Sequence, residues 1–273
     1  MPAFWQSWPL SLDPLAGRIV GFPVTWYAVM YIAGAVFAAL YFVALARRRG
    51  LLVDASGAVE LSVSVLWGVI LGARFGYVFF YGGQEFIQEP WRIISPYDFG
   101  LGEWIGIRGM SFHGGLIGGA IGLFMFTREG RRNFFQFSDL LVQAVPIALF
   151  FGRIGNFLNQ EILGRVTTGW WGMYFPATGS LLLHPVTLYE AFLEGGVLFT
   201  ALYMLSRKMA TPGYTTALFL FLYAGLRYFA EGYRALPLSE SLVLGYFSVG
   251  QALSIVMGLL GLVVILLSRR RMV

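Results

Sequence analysis

Apolar residues gather in seven runs separated by short polar or glycine-rich stretches, at roughly 24 to 46, 60 to 82, 112 to 127, 137 to 158, 184 to 206, 213 to 234 and 248 to 267. Most are near the length of about twenty residues that a helix needs to cross bilayer hydrocarbon. The pattern therefore predicts one polytopic, all-α integral membrane domain over 1–273, a bundle of seven transmembrane helices. Two longer stretches, 83 to 111 and 159 to 183, are rich in glycine and aromatic residues rather than charge and suit the membrane interface. The third run, H-G-G-L-I-G-G-A-I-G, places Gly114, Gly118 and Gly122 at intervals of four, as it does Gly115 and Gly119. Small residues at that spacing let helix backbones approach closely in lipid.

Charge orients the bundle. Eleven of the nineteen basic residues fall in four clusters that flank apolar runs: Arg47 to Arg49, Arg128 with Arg131 and Arg132, Arg207 with Lys208, and Arg269 to Arg271. Such clusters anchor the cytoplasmic side. An odd number of spans puts the termini on opposite sides, so a cytoplasmic C-terminus implies a periplasmic N-terminus. Every cluster then lies on the inner face, and the two longer loops face outward. The first run precedes its basic cluster, the reverse of a signal peptide, and is expected to stay in the mature protein.

Composition narrows the classes further. The chain is 58% hydrophobic and 12% charged, with a mean hydropathy of +0.70, which nearly excludes a soluble enzyme, since soluble domains carry about a quarter charged residues. The net charge of +5 punctuates hydrophobic segments instead of forming one water-facing patch interleaved with aromatics, so no nucleic-acid partner is expected. There is no cysteine, which rules out cysteine nucleophiles and cysteine metal sites.

Several polar groups lie inside the runs, where each charge costs about 2.5 to 3.5 kcal/mol at mid-membrane and needs a role or a partner. These are Tyr27, Arg74, His113, Arg153, Asn156, His184, Glu190, Glu194, Arg227, Glu231 and Arg234. On the topology above all fall in the outer half of the membrane, although six spans supply them. A through-channel would continue them to the inner half, where only Asp139 comes close; the placement points to an outer-leaflet pocket. Arg227, Glu231 and Arg234 share a helix face and admit two readings, a self-neutralising stripe or part of an anion site. Adding Arg74 and Arg153 leaves guanidinium in surplus, and its planar fork of donors suits an anionic phospholipid headgroup. The only histidines, His113 in F-H-G-G and His184 in L-H-P-V, are each a capping group or a general base. No H-E-x-x-H or comparable pair joins them to Glu161, Glu190 or Glu194, so no metal and no cofactor are expected.

The stretch F-G-R-I-G-N-F-L-N-Q-E-I-L-G-R from Phe151 to Arg165 resembles the signature of bacterial phosphatidylglycerol:prolipoprotein diacylglyceryl transferases, G-R-x-G-N-F-x-N-x-E-x-x-G. It is filled at Gly152, Arg153, Gly155, Asn156, Phe157, Asn159, Glu161 and Gly164. The resemblance extends through W-Y-A-V-M-Y at Trp26, H-G-G-L at His113, H-P-V-T-L-Y-E at His184, Y-A-G-L-R-Y-F-A-E-G-Y-R at Tyr223 and G-Q-A-L-S at Gly250. One departure is Gln160, where members often have glycine.

The resemblance implies a multi-pass enzyme of the bacterial inner membrane that acts toward the outer leaflet, among membrane lipids. Its expected partners are phosphatidylglycerol and a prolipoprotein signal peptide with a lipobox cysteine. It would move the diacylglyceryl group onto the cysteine thiol and release glycerol phosphate. Matching the family's functional positions are Tyr27, His113, Arg153, Asn156, Glu161, Gly164, Tyr223, Arg227 and Glu231, and Arg234 is added as a headgroup contact. A thiol with a pKa near 8.5 needs a base, for which His113 is the first candidate. Arg153 and Arg227 would stabilise the departing phosphate. A lipid flippase with an arginine-lined site, or a scaffold with paired polar residues, are the competing readings.

Overall fold

The computed structural model describes residues 3–19, 22–51, 55–81, 83–95, 97–98, 102–104, 109–209, 211–235, 242–243 and 245–270. Arg271 and parts of the 83–111 loop thus lie outside the described residues. Among the described residues, long helices follow the apolar runs in order: α1 Trp26–Arg48, α2 Ala55–Tyr81, α3 Phe112–Glu129, α4 Phe134–Leu158, α5 Val186–Leu205, α6 Tyr214–Glu231 and α7 Val249–Arg270. Among the described residues five of them, all but α3 and α6, are long and apolar enough to cross a membrane. The two exceptions are 18-residue helices that carry charged side chains within them. The chain is thus a polytopic helical membrane protein. Short antiparallel ribbons break the all-α expectation in its loops: β1 Leu15–Ile19 with β2 Phe22–Thr25, β3 Tyr97–Asp98 with β4 Glu103–Trp104, and β5 Met173–Tyr174 with β6 Leu182–Leu183.

Contacts divide the chain into two compact units, Gly50–Ser138 and the remainder, Met1–Arg49 with Asp139–Val273. In the smaller unit α2 and α3 pack through two glycine stripes. A Cβ on Gly118 would strike the carbonyl oxygen of Gly68 and lie 2.8 Å from the Cα of Gly72, and one on Gly114 would meet the Gly72 carbonyl and lie 2.9 Å from the Cα of Gly76. Gly115 and Gly119 face Val69 of α2. Close packing is therefore what the third run's glycines do, and the partner stripe Gly68, Gly72 and Gly76 supplies the other half. Ser111 caps α3 by accepting from Gly114 N at 3.3 Å.

In the larger unit Thr25 caps α1, accepting from Ala28 N at 3.4 Å, and Arg47 and Arg48 end it where cations complement the helix dipole. Asp139 caps α6: its oxygens accept from Gly213 N and Thr216 N, each at 2.7 Å, and from Thr216 Oγ1 at 2.6 Å. A buried apolar cluster of Phe157, Met173, Phe175 and Leu183 fixes the 159–183 loop against the end of α4. α5 is α-helical at its two ends, with a π-helical turn from Ala191 to Val197 between them.

Candidate active site

Two carboxylates lie within the larger unit on α5. Glu190, just before the π turn, and Glu194, within it, are four residues apart and so share a face of the helix, and both side chains are wholly buried. Facing them are Arg153 of α4 and Arg227 of α6. Arg153 Nε and Nη2 donate to Glu194 Oε2 at 3.1 and 3.0 Å, and its Nη1 lies 3.0 Å from Glu190 Oε2. Arg227 Nη1 donates to Glu190 Oε1 and, at 3.3 Å, to Glu194 Oε1, while its Nη2 donates to Glu231. Arg234 completes the line, donating from Nη1 to Glu231 Oε2 at 3.2 Å. Ser248 Oγ, at the foot of α7, donates to Glu231 Oε1 at 3.3 Å, and a side chain on Gly250 would run into that same carboxylate.

Within this network three arginines meet three carboxylates. The expected surplus of guanidinium is therefore corrected: Arg153, Arg227 and Arg234 are matched by Glu190, Glu194 and Glu231. Arg74, counted in that surplus, belongs to the other unit, where it donates from Nε to Ile93 O at 2.6 Å, from Nη1 to Gly109 O at 3.1 Å and from Nη2 to Arg92 O. It holds loop backbone there. Buried ion pairs stabilise a fold weakly but specify geometry, because breaking one strands a charge. Exposure grades the arginine side chains from 8% at Arg227 through 13% at Arg153 to 25% at Arg234.

A second polar set adjoins Arg153 along α4. Asn156, one turn on, donates from Nδ2 to Glu161 Oε2 at 2.9 Å, and Asn159 Nδ2 donates to Glu161 Oε1 at 3.2 Å. The Asn159 side-chain carbonyl accepts from Tyr27 N at 3.1 Å, and the Tyr27 ring lies 4.5 Å from that of Tyr31. Gly155 permits this approach, since its Cβ would sit 3.1 Å from the Tyr27 Cα. Glu161 stands between two residues in the left-handed region, Gln160 at φ +59° and Ile162 at φ +58°. That conformation favours glycine at position 160; here Gln160 Nε2 donates to Leu12 O at 2.9 Å and to Pro9 O at 3.1 Å, which offsets the strain.

Gly164 pairs with Arg234 as an isolated β-bridge, and its Cβ would strike the His184 carbonyl, so only glycine fits. The bonds Arg165 N to Tyr233 O at 2.8 Å, Ala235 N to Leu163 O at 3.0 Å and His184 N to Arg165 O at 2.9 Å extend this seam. Tyr223 is buried one helical turn before Arg227, stacked 5.7 Å from Phe219.

His184, two residues before α5, sits among Tyr233, Tyr189 and Trp171 at ring distances of 5.1, 5.9 and 6.5 Å. Burial lowers its pKa, which favours neutral imidazole. Trp171 Nε1 approaches Nδ1 at 3.5 Å, and since indole nitrogen only donates, Nδ1 is the acceptor in that contact. The Tyr189 hydroxyl also contacts Nδ1 at 3.1 Å. The one basic lone pair is engaged, which suits a structural histidine. His113 is the second residue of α3, and its side chain lies outside the described residues.

Sequence reasoning named Glu190 and Glu194 as costly intramembrane charges without placing them in the site. The signal was their spacing of four, which puts two residues on one helix face where two arginines can reach both.

The fold and this cluster define a class: a multi-pass helical membrane protein with a buried, charge-balanced arginine–carboxylate centre. The sequence matches the family model described as prolipoprotein diacylglyceryl transferase over residues 14–267, and the chain belongs to that family. It is 40% identical to the phosphatidylglycerol–prolipoprotein diacylglyceryl transferase of Chlorobaculum tepidum, over 98% of this chain and 94% of that protein. It is 37% identical to the protein of the same description in Campylobacter lari, over 95% of this chain and 94% of its relative. For that of Campylobacter jejuni the identity is 38%, over 96% and 95%.

Proposed function

We propose that the protein transfers the sn-1,2-diacylglyceryl group of phosphatidylglycerol to the lipobox cysteine of a prolipoprotein signal peptide. The observation that carries this reading is the meeting of Arg153, Arg227 and Arg234, from two helices and a turn, on shared buried carboxylates within a chain of this family. In the reaction the cysteine sulfur forms a bond to the glyceryl carbon, the carbon–oxygen bond to phosphate breaks, and glycerol phosphate leaves. The thiol proton passes to a base, His113 in this reading, since the lone pair of His184 is already engaged. Arg153 and Arg227 stabilise the charge gathering on the leaving phosphate in a poorly hydrated pocket. Arg234 admits the headgroup, Asn156 and Glu161 orient the glycerol, and Tyr27, Gly164, Tyr223 and Glu231 shape and hold the pocket.

The accompanying topology has seven spans in the inner membrane, the N-terminus periplasmic, the C-terminus cytoplasmic and the site toward the outer leaflet. The basic clusters at the ends of α1, α3, α5 and α7 support it. The test is to incubate the purified protein with phosphatidylglycerol and a lipobox peptide. A peptide heavier by one diacylglyceryl group is expected, while lipid movement without a modified peptide would overturn the reading in favour of a flippase.

A further inference from the structure

The larger unit holds a second polar feature that the transfer reaction does not use. Where α1 and α5 end, a cavity of about 290 Å³ opens between them and the first half of α4. Three arginines, Arg48, Arg49 and Arg207, line it, and among the described residues no Asp or Glu does. Asp139, one turn before Gln143 on α4, is occupied in capping α6. The walls are built rather than incidental. Gln143 and Ser206 are both 2% exposed, Ser206 Oγ donates to Gln143 Oε1 at 2.8 Å, and Gln143 Nε2 donates to Asp139 O at 2.7 Å. Arg207 is held with its guanidinium carbon 4.0 Å over the Tyr203 ring.

Simple topological anchors need charge beyond the helix ends and nothing more. They do not need a half-open cavity backed by a buried amide and hydroxyl. The volume is near the lower end of ligand pockets, about 300 to 1,000 Å³, so it accepts a phosphorylated headgroup and not a whole lipid. Exposed apolar side chains on the same helices, Leu40 of α1 and Met204 of α5, leave a surface for acyl chains. The reaction centre is elsewhere: Gln143 and Arg153 are ten residues apart on α4, a rise of about 15 Å.

We infer that this cavity binds the phosphate of an anionic phospholipid headgroup in the leaflet at that end of the helices, as a site separate from the reaction centre. Guanidinium forks favour a phosphate diester over a zwitterionic headgroup, whose own cation meets the arginine field unfavourably.

The experiment counts lipids retained by the full-length protein in native mass spectrometry. Dioleoyl phosphatidylglycerol, dioleoyl phosphatidylcholine or inorganic phosphate is titrated into detergent-solubilised protein. Wild type should retain phosphatidylglycerol over phosphatidylcholine, and Arg49→Gln/Arg207→Gln should weaken one retained lipid about 25-fold, at roughly fivefold per guanidinium near a membrane surface. Leu45→Trp, which keeps every charge and fills the cavity, should also lose it, with an unchanged melting temperature in lipid-free detergent. Arg153→Lys, which alters only the reaction centre, should keep this lipid. Loss in Arg153→Lys with retention in both cavity variants would assign the lipid to the reaction centre and overturn the inference. Stabilisation by inorganic phosphate with no retained lipid would make this a soluble-phosphate site and overturn the lipid assignment.

Discussion

At the scale of single residues, the proposed chemistry rests on two arginines that share their partners. Arg153 and Arg227 each touch both Glu190 and Glu194, so a change at one redistributes the carboxylates around the other. Lysine at either position keeps the charge but loses the fork, and turnover should fall by about 10² to 10³. The double lysine variant should lose little more than either single one, because groups acting on one phosphate work as a unit. Peptide lipidation rates in phosphatidylglycerol micelles, with thermal stability checked in parallel, measure this. Multiplying losses would assign the two arginines to separate events. For the base, His113→Gln should cost about 10² to 10⁴ in rate at unchanged stability. His184→Gln, whose amide oxygen can still accept from Trp171 and Tyr189, should cost much less; the opposite ranking moves the base to His184. That a buried polar cluster would form was legible because arginine and glutamate inside apolar runs stand out. Its charge balance was not, since pairing depends on which faces the helices turn toward one another, and a count of arginines carries no such information.

Among the helices and their contacts, the glycine stripes of α2 and α3 make the sharpest test. A valine at Gly118 meets backbone of α2, which has no side chain to swing away, and should destabilise by about 1 to 3 kcal/mol or prevent folding. At Gly119 the neighbour is the Val69 side chain at 3.0 Å, so Gly119→Val should be milder. Gly225→Ala in α6, with nothing within 4 Å of the added atom, should stabilise by up to about 1 kcal/mol through helix propensity. Melting curves in detergent order the three, and equal losses at Gly118 and Gly119 would dismiss backbone contact as the cause. The apolar runs marked the five helices that are long and apolar enough to cross a membrane, because such a helix needs about twenty consecutive mostly apolar residues. The π turn left no trace in that pattern, and the ribbons of two to five residues are too short to show an alternation.

For the whole molecule, the basic clusters and the helix order together make a topological statement. Single cysteines introduced beside Arg47, Arg131 or Arg207 into this cysteine-free chain should resist an impermeant thiol reagent added outside intact cells. One placed in the loop at Thr178 should react. Labelling at Arg131 from outside would invert that part of the bundle.

The α2–α3 seam has a consequence for the heat of its assembly. Glycines surrender no side-chain rotamers when they meet, and lipid tails offer no hydrophobic drive to push two helices together. What remains is dispersion and Cα–H to carbonyl contact along Gly68, Gly72, Gly114 and Gly118, both of them enthalpic. The association of these two helices should therefore release heat and strengthen on cooling, the reverse of a contact that water drives.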